Sequence, residues 1–156
     1  MQHQILEQCE INSSTMGFGN KAKIINATSA TLSLVGVKGA KVVLSRAAGI
    51  AVALPAATGD GSVLEFFLAT TTTSNAYVLT ANGSDTVAGT ALMDDGDGEP
   101  ANGWAATAAT VITLGGTSNA TGGIKGGKVT LTDIAAGLWH ADVTGAQSGA
   151  EATPFS

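Results

Sequence analysis

Seven residues, Gly122-Gly123-Ile124-Lys125-Gly126-Gly127-Lys128, match the opening of a phosphate-binding loop, in which glycine amides and a lysine cradle phosphate oxygens. The eighth position breaks the pattern. Val129 stands where a Ser or Thr hydroxyl would hold Mg²⁺, and the chain continues as KVTLTD, an alternating strand where a helix N-terminus is required. This stretch therefore reads as a glycine-rich connection between strands. Asp95, Asp97 and Glu99 sit at alternate positions, as a calcium loop begins, but Pro100 occupies the position of its glycine and Ala106 that of its bidentate glutamate. No metal site is expected from one chain, although carboxylates of symmetry-related copies could converge on an axis. His3 and His140 are the only imidazoles, and neither has the spacing of a zinc site or of a nucleophile with its base. Cys9 is the single cysteine, with no partner for an internal disulfide. No catalytic, cofactor-binding or metal-ligating residue is expected.

The elements around these residues are built from short apolar runs and turn signals. At 156 residues the chain is long enough for one domain plus an arm. Aromatic residues make up 4%, while Gly (21), Ala and Thr are plentiful, so the core is made of small side chains that each bury little area. Charged residues are 12%, about half the usual share, which suits a protein that gains stability from neighbouring chains. The net charge of −5 argues against nucleic acid as the main partner. Lys21, Lys23, Lys38, Lys41 and Arg46 carry most of the positive charge, and Asp94, Asp95, Asp97 and Glu99 form a later acidic cluster. They read either as two solvated surfaces or as patches that meet between subunits. The amino-terminal stretch MQHQILEQCEINSS reads as neither a signal peptide nor a membrane span.

Residues 1–29 are polar and mixed in pattern, and we read them as an extended arm preceding a β-rich body over 30–156. Residues 5–10 fit one helical turn or a strand equally. Lys23, Ile24 and Ile25 fit a short strand added to a neighbour's sheet edge, or a loosely ordered terminus. Residues 30–37 start the body, and 41–77 read as a β-meander with turns at Ala47-Ala48-Gly49 and Gly59-Asp60-Gly61. Asn82-Gly83 signals a hairpin between strands at 76–80 and 86–93. Further strands are expected at 104–114, most clearly 110–114, then at 128–133 and 138–143. The stretch KVVLSRAAGI resembles KVTLTDIAAGL, which suggests one hairpin chemistry used twice. No apolar helical period persists, so helix should be scarce. The expectation is an all-β fold, a small sandwich or barrel of seven to nine short antiparallel strands with an extended N-terminal arm.

Four of these stretches carry a resemblance. Leu54-Pro55-Ala56-Ala57-Thr58-Gly59, Gly83-Ser84-Asp85 with Ala88-Gly89, Leu131-Thr132-Asp133-Ile134-Ala135 with Trp139, and the terminal Ala152-Thr153-Pro154-Phe155 recur in this order in a family of small structural proteins of tailed bacteriophages. The chain resembles that family over roughly residues 30–156. The resemblance implies a virion protein, a capsid decoration (cement) protein assembled in the host cytoplasm. It would sit on the outer surface of the head as a homotrimer, with the major capsid protein as its partner and neither nucleic acid nor membrane. The lambda-type decoration proteins are similar in size, in their β-rich body and in an N-terminal arm that contacts the capsid. Phe18, Lys21, Lys23, Ile24 and Ile25 are the expected capsid contacts of the arm; Trp104, Trp139 and Phe155 are expected as intersubunit or core anchors. The alternatives are a head fibre or tail-associated protein and, in a different class, a carbohydrate-binding adhesin domain, against which the scarcity of aromatics counts.

Overall fold

The computed structural model describes residues 23–156, which contain eleven strands and no helix. In chain order they are β1 (Ile24–Ala27), β2 (Thr31–Ser33), β3 (Ala40–Leu44), β4 (Ile50–Ala53), β5 (Val63–Leu68), β6 (Ala76–Thr80), β7 (Thr86–Asp95), β8 (Asn102–Ala109), β9 (Val111–Gly115), β10 (Lys128–Ala135) and β11 (Leu138–Gln147). They form two sheets, β1-β3-β5-β10-β11-β7-β8 and β2-β4-β6-β9. The all-β expectation holds, and no helix among the described residues is long and apolar enough to cross a membrane. The strand count exceeds the expected seven to nine because the 104–114 run divides and because β1 lies within the segment expected as the arm. β8 belongs to the first sheet and β9 to the second, with Thr110 at the crossing.

The antiparallel expectation is corrected. From β1 to β6 the chain changes sheet at every step, so β1, β3 and β5 stack in parallel in one sheet and β2, β4 and β6 in parallel in the other. Each pair, β1–β2, β3–β4 and β5–β6, is a rung of a two-sided stack. The 41–77 segment is thus no meander. Its strands alternate in burial, as in β3, where Ala40, Val42 and Leu44 are buried, and β4, where Ile50 and Val52 are, because each lays one face on the core, and that pattern is the same for a hairpin as for a crossing between sheets. Asn82-Gly83 likewise forms a tight turn, with Asp85 N donating to Asn82 O at 2.9 Å, but it delivers the chain from β6 to the other sheet and not into a hairpin.

The two similar AAG stretches also differ. Ala136-Gly137 closes a true antiparallel hairpin between β10 and β11. Residues 45–49 instead arch from β3 to β4. There the Arg46 guanidinium donates to Ala48 O and Gly49 O, at 2.9 and 2.6 Å, and Gly49 has φ +75. A Cβ at Gly49 would lie 2.4 Å from Ala76 O, so only glycine lets the arch press against β6.

The second half closes the stack. The β10–β11 hairpin inserts beside β5, antiparallel through β10; β11 pairs in parallel with β7, and β8 finishes that sheet. β9 pairs antiparallel with β6, and the carboxyl terminus runs along β9, with Phe155 bridged to Ile112 and Thr113 N donating to Pro154 O at 2.8 Å. One continuous core lies between the sheets, with Phe66, Tyr77 and Trp139 as its largest buried members among many Val, Leu, Ile and Ala. Burial raises the pKa of the Tyr77 hydroxyl, which donates to Thr70 O at 2.7 Å.

Candidate interaction surface

The glycine-rich loop before β10 has spent its amides on the protein. Gly126 N donates to Leu68 O, Gly127 N to Ile124 O, Gly122 N to Asn119 O and Lys125 N to Thr71 Oγ1. Its glycines serve close approach: a Cβ at Gly123 would meet the Gly115 backbone at 2.3 Å. At the calcium-like loop Asp95 is buried, its carboxylate accepting from Asp97 N and Glu99 N, while Asp97 Oδ2 accepts from Gly149 N at 2.7 Å. These carboxylates anchor a turn. His140 lies on β11, its Nδ1 3.7 Å from Asp142 Oδ2. No group of three His, Cys, Asp or Glu suited to a metal occurs among the described residues.

Three lysines are paired with carboxylates within the chain. Lys38 Nζ reaches Asp60 Oδ2 at 2.5 Å and Thr58 Oγ1 at 3.0 Å, and the lysine beside it holds the Asp60 carboxyl well below the usual carboxylate range. On the outer face of the first sheet Glu65 is clasped by Lys41 and by Lys128, the latter at 2.8 Å, and both ammonium groups sit over the Phe67 ring at 5.5 and 5.6 Å. Lys128 first, then Lys41, lowers the Glu65 pKa.

Three of the stretches that carry the phage resemblance meet in space. The loop at 55–61 is pinned from two sides: Asp133 accepts from Thr58 N at 2.8 Å, Gly59 N at 2.6 Å and Thr58 Oγ1 at 3.2 Å, and Asp85 Oδ2 accepts from Ala57 N at 2.7 Å. Asp133 is 1% exposed. Sequence reasoning did not assign these two aspartates a role. A signal was present for Asp133, which follows Val129 and Leu131 on the inward side of an alternating strand, where a carboxylate needs buried donors.

Of the expected arm contacts, Phe18 and Lys21 lie outside the described residues, as does Cys9. Lys23 immediately precedes β1, with its carbonyl accepting from Lys41 N. Ile24 is 63% exposed, and Ile25 packs against the core. The reading of Lys23–Ile25 as a strand added to a neighbour is corrected: β1 pairs in parallel with β3 of its own chain, Ile24 opposite Lys41. Trp139 and Phe155 are buried in the core, and Trp104 packs against its margin from β8.

Two surfaces stand out among the described residues. β1 and β2 are the outermost strands of their sheets, so the first rung presents an edge of each sheet among the described residues. The second sheet also has an unusual outer face, since none of β2, β4, β6 and β9 contains a charged residue. Thr31, Ser33, Ala51, Ala53 and Thr80 line a shallow hollow of about 290 Å³ on it, and a second of about 590 Å³ lies towards Arg46, Asn75 and Gly116. No protein-family model, curated protein or solved structure matches this chain.

Proposed function

We propose that the chain is a non-enzymatic structural protein of a tailed-phage particle, a decoration (cement) protein. It binds the outer face of the head as a trimer and stiffens the shell by contacts to several major capsid subunits at once. Multivalent clamping of this kind multiplies weak individual contacts without chemistry. The body is a two-sheet sandwich, since both sheets keep separate edges around one core, and the segment before β1 is the arm that approaches the shell.

The observation that carries this reading is the first rung. Its two sheet edges lie together where the N-terminal segment joins the fold, beside exposed Ile24 and cationic Lys23. An uncharged sheet face runs away from the same edge, and burying such a face against another subunit carries no charge-desolvation cost. The resemblance of the 55–61, 83–89, 131–139 and 152–155 stretches to phage structural proteins supports the same reading.

The test is a head-binding assay with the full chain bearing Lys21→Glu, Lys23→Glu and Ile24→Asp. Lys23 and Ile24 are exposed, so the fold should survive, and occupancy of expanded heads should drop by about tenfold or more. Wild-type occupancy by a folded variant would sink the arm assignment. A particle map decides the location: copies across the shell fit decoration, whereas a few copies at a vertex or tail mean a fibre or tail-associated protein.

A further inference from the structure

We infer that Asn82 is a self-modifying site, at which the folded chain converts its own side-chain amide to aspartate and isoaspartate through a cyclic imide. Asn-Gly occurs twice, at 82–83 and at 102–103. A glycine after asparagine leaves its amide nitrogen unshielded, because no Cβ stands over the asparagine side chain. The fold treats the two copies differently.

Asn82 and Gly83 open a tight turn in which Asp85 N donates to Asn82 O at 2.9 Å. Gly83 has φ +55 and is exposed, as is Ser84. Gly83 N makes no hydrogen bond among the described residues, and a Cβ there would meet nothing within 4 Å, so nothing crowds the nitrogen as it swings towards Asn82 Cγ. The Asn82 side chain is tied by a long contact, Nδ2 donating to Leu54 O at 3.5 Å, where a hydrogen bond is weak. Asn102 and Gly103 lie instead in β8, and pairing with Met93 and Leu92 of β7 holds their backbone extended. Ring closure there means leaving the sheet.

The chemistry needs only water and a solvent base. Gly83 N gives up its proton and bonds to Asn82 Cγ, the Cγ–Nδ2 bond breaks, and the nitrogen leaves as ammonia. Water then opens the ring. Addition at Cγ gives aspartate, and addition at the Asn82 backbone carbonyl gives isoaspartate, which routes the main chain through Cγ; nothing is oxidised or reduced. Aspartate puts an acceptor where the amide donor now faces Leu54 O, just before the 55–61 loop. Isoaspartate lengthens the main-chain link to Asp85, which holds Ala57 N. Ageing at residue 82 therefore loosens that loop.

The inference goes beyond the decoration reading and is tested on the free full chain, so neither result bears on the other. Folded protein is aged in heavy-oxygen water at mildly alkaline pH beside a sample in urea, and peptide fragmentation locates each residue that takes up the label. In buffer, conversion at Asn82 should outpace that at Asn102 by about tenfold or more, and urea, which frees both, should bring the two rates together. Isoaspartyl methyltransferase should label the aged chain at residue 82. Hydrogen exchange over 55–61 should be faster in Asn82→Asp than in the unsubstituted chain. Equal rates in buffer, slower conversion at Asn82 than at Asn102, or a difference that persists in urea would overturn the assignment of the site. Unchanged exchange in Asn82→Asp would overturn the loosening.

Discussion

At the scale of single residues the fold depends on a few carboxylates placed where a sheet would ordinarily bury an aliphatic side chain. Asp133 is the clearest, since it replaces the next apolar residue on the inward side of β10 and holds two backbone amides and a hydroxyl of the 55–61 loop. Asp133→Ala removes both carboxylate acceptors from those donors and leaves a gap at a position that is itself buried. The expected loss is about 3 kcal/mol, read from urea unfolding, and Asp133→Asn, which keeps one acceptor, should lose less. A loss as small as that of an ordinary surface substitution would mean the loop holds itself. Glu65 is a milder case because Lys41 and Lys128 are each more than a third exposed, so water and salt screen the cluster. Glu65→Gln should cost no more than about 1 kcal/mol at neutral pH. The folded pKa of Glu65 lies below its unfolded value, so its contribution is complete above the ordinary carboxylate range and is lost as pH falls through the lower folded value. The gap between wild type and Glu65→Gln should therefore close in acid and shrink in high salt; a gap independent of both would assign the effect to packing.

Elements were legible from the sequence as strands but not as members of a particular sheet. The alternating runs at 40–44, 50–53, 63–68, 76–80 and 128–135 announce themselves, because each lays one face on the core. KVVLSRAAGI and KVTLTDIAAGL carry nearly the same turn, yet one arches between sheets and the other doubles back. The difference lies in Arg46 and in the contact of Gly49 with residue 76, both features of the folded chain that local pattern does not encode. The candidate surface was half legible for the same reason: Lys23 and Ile24 stood out, whereas the pairing of β1 with its own β3 needed the register. The β7–β11 contact is another such case. A Cβ at Gly89 would lie 1.9 Å from Ala141 O, at a position where β7 also shifts register against β8. Backbone cannot retreat as a flexible side chain can, so Gly89→Ala should force the two longest strands apart and cost about 3 kcal/mol or more. Thermal unfolding measures it; a melting temperature equal to wild type would show that the strands part freely.

For the whole molecule, the seam between the stacked rungs and the rest decides whether either half stands alone. β5 and β6 end the stack, and each is covered by a strand from far along the chain: β10 on β5, Lys128 opposite Phe67, and β9 on β6, Leu114 opposite Tyr77. The pins on the 55–61 loop, Asp85 and Asp133, also belong to the second half. A fragment of residues 1–84 would keep the parallel pairings of its three rungs but expose both last edges and one side of a core that relies on Trp139, Val143 and Ile112 for closure. Parallel pairings between distant strands repay their loop-closure entropy only when the core they enclose is complete. The fragment should therefore show no cooperative urea transition and should associate on gel filtration, whereas the full chain should unfold in one step. Adding residues 85–156 in trans should restore cooperativity by supplying both covering strands together. If the fragment alone unfolds cooperatively as a monomer, the stack is a domain in its own right and the second half only decorates it.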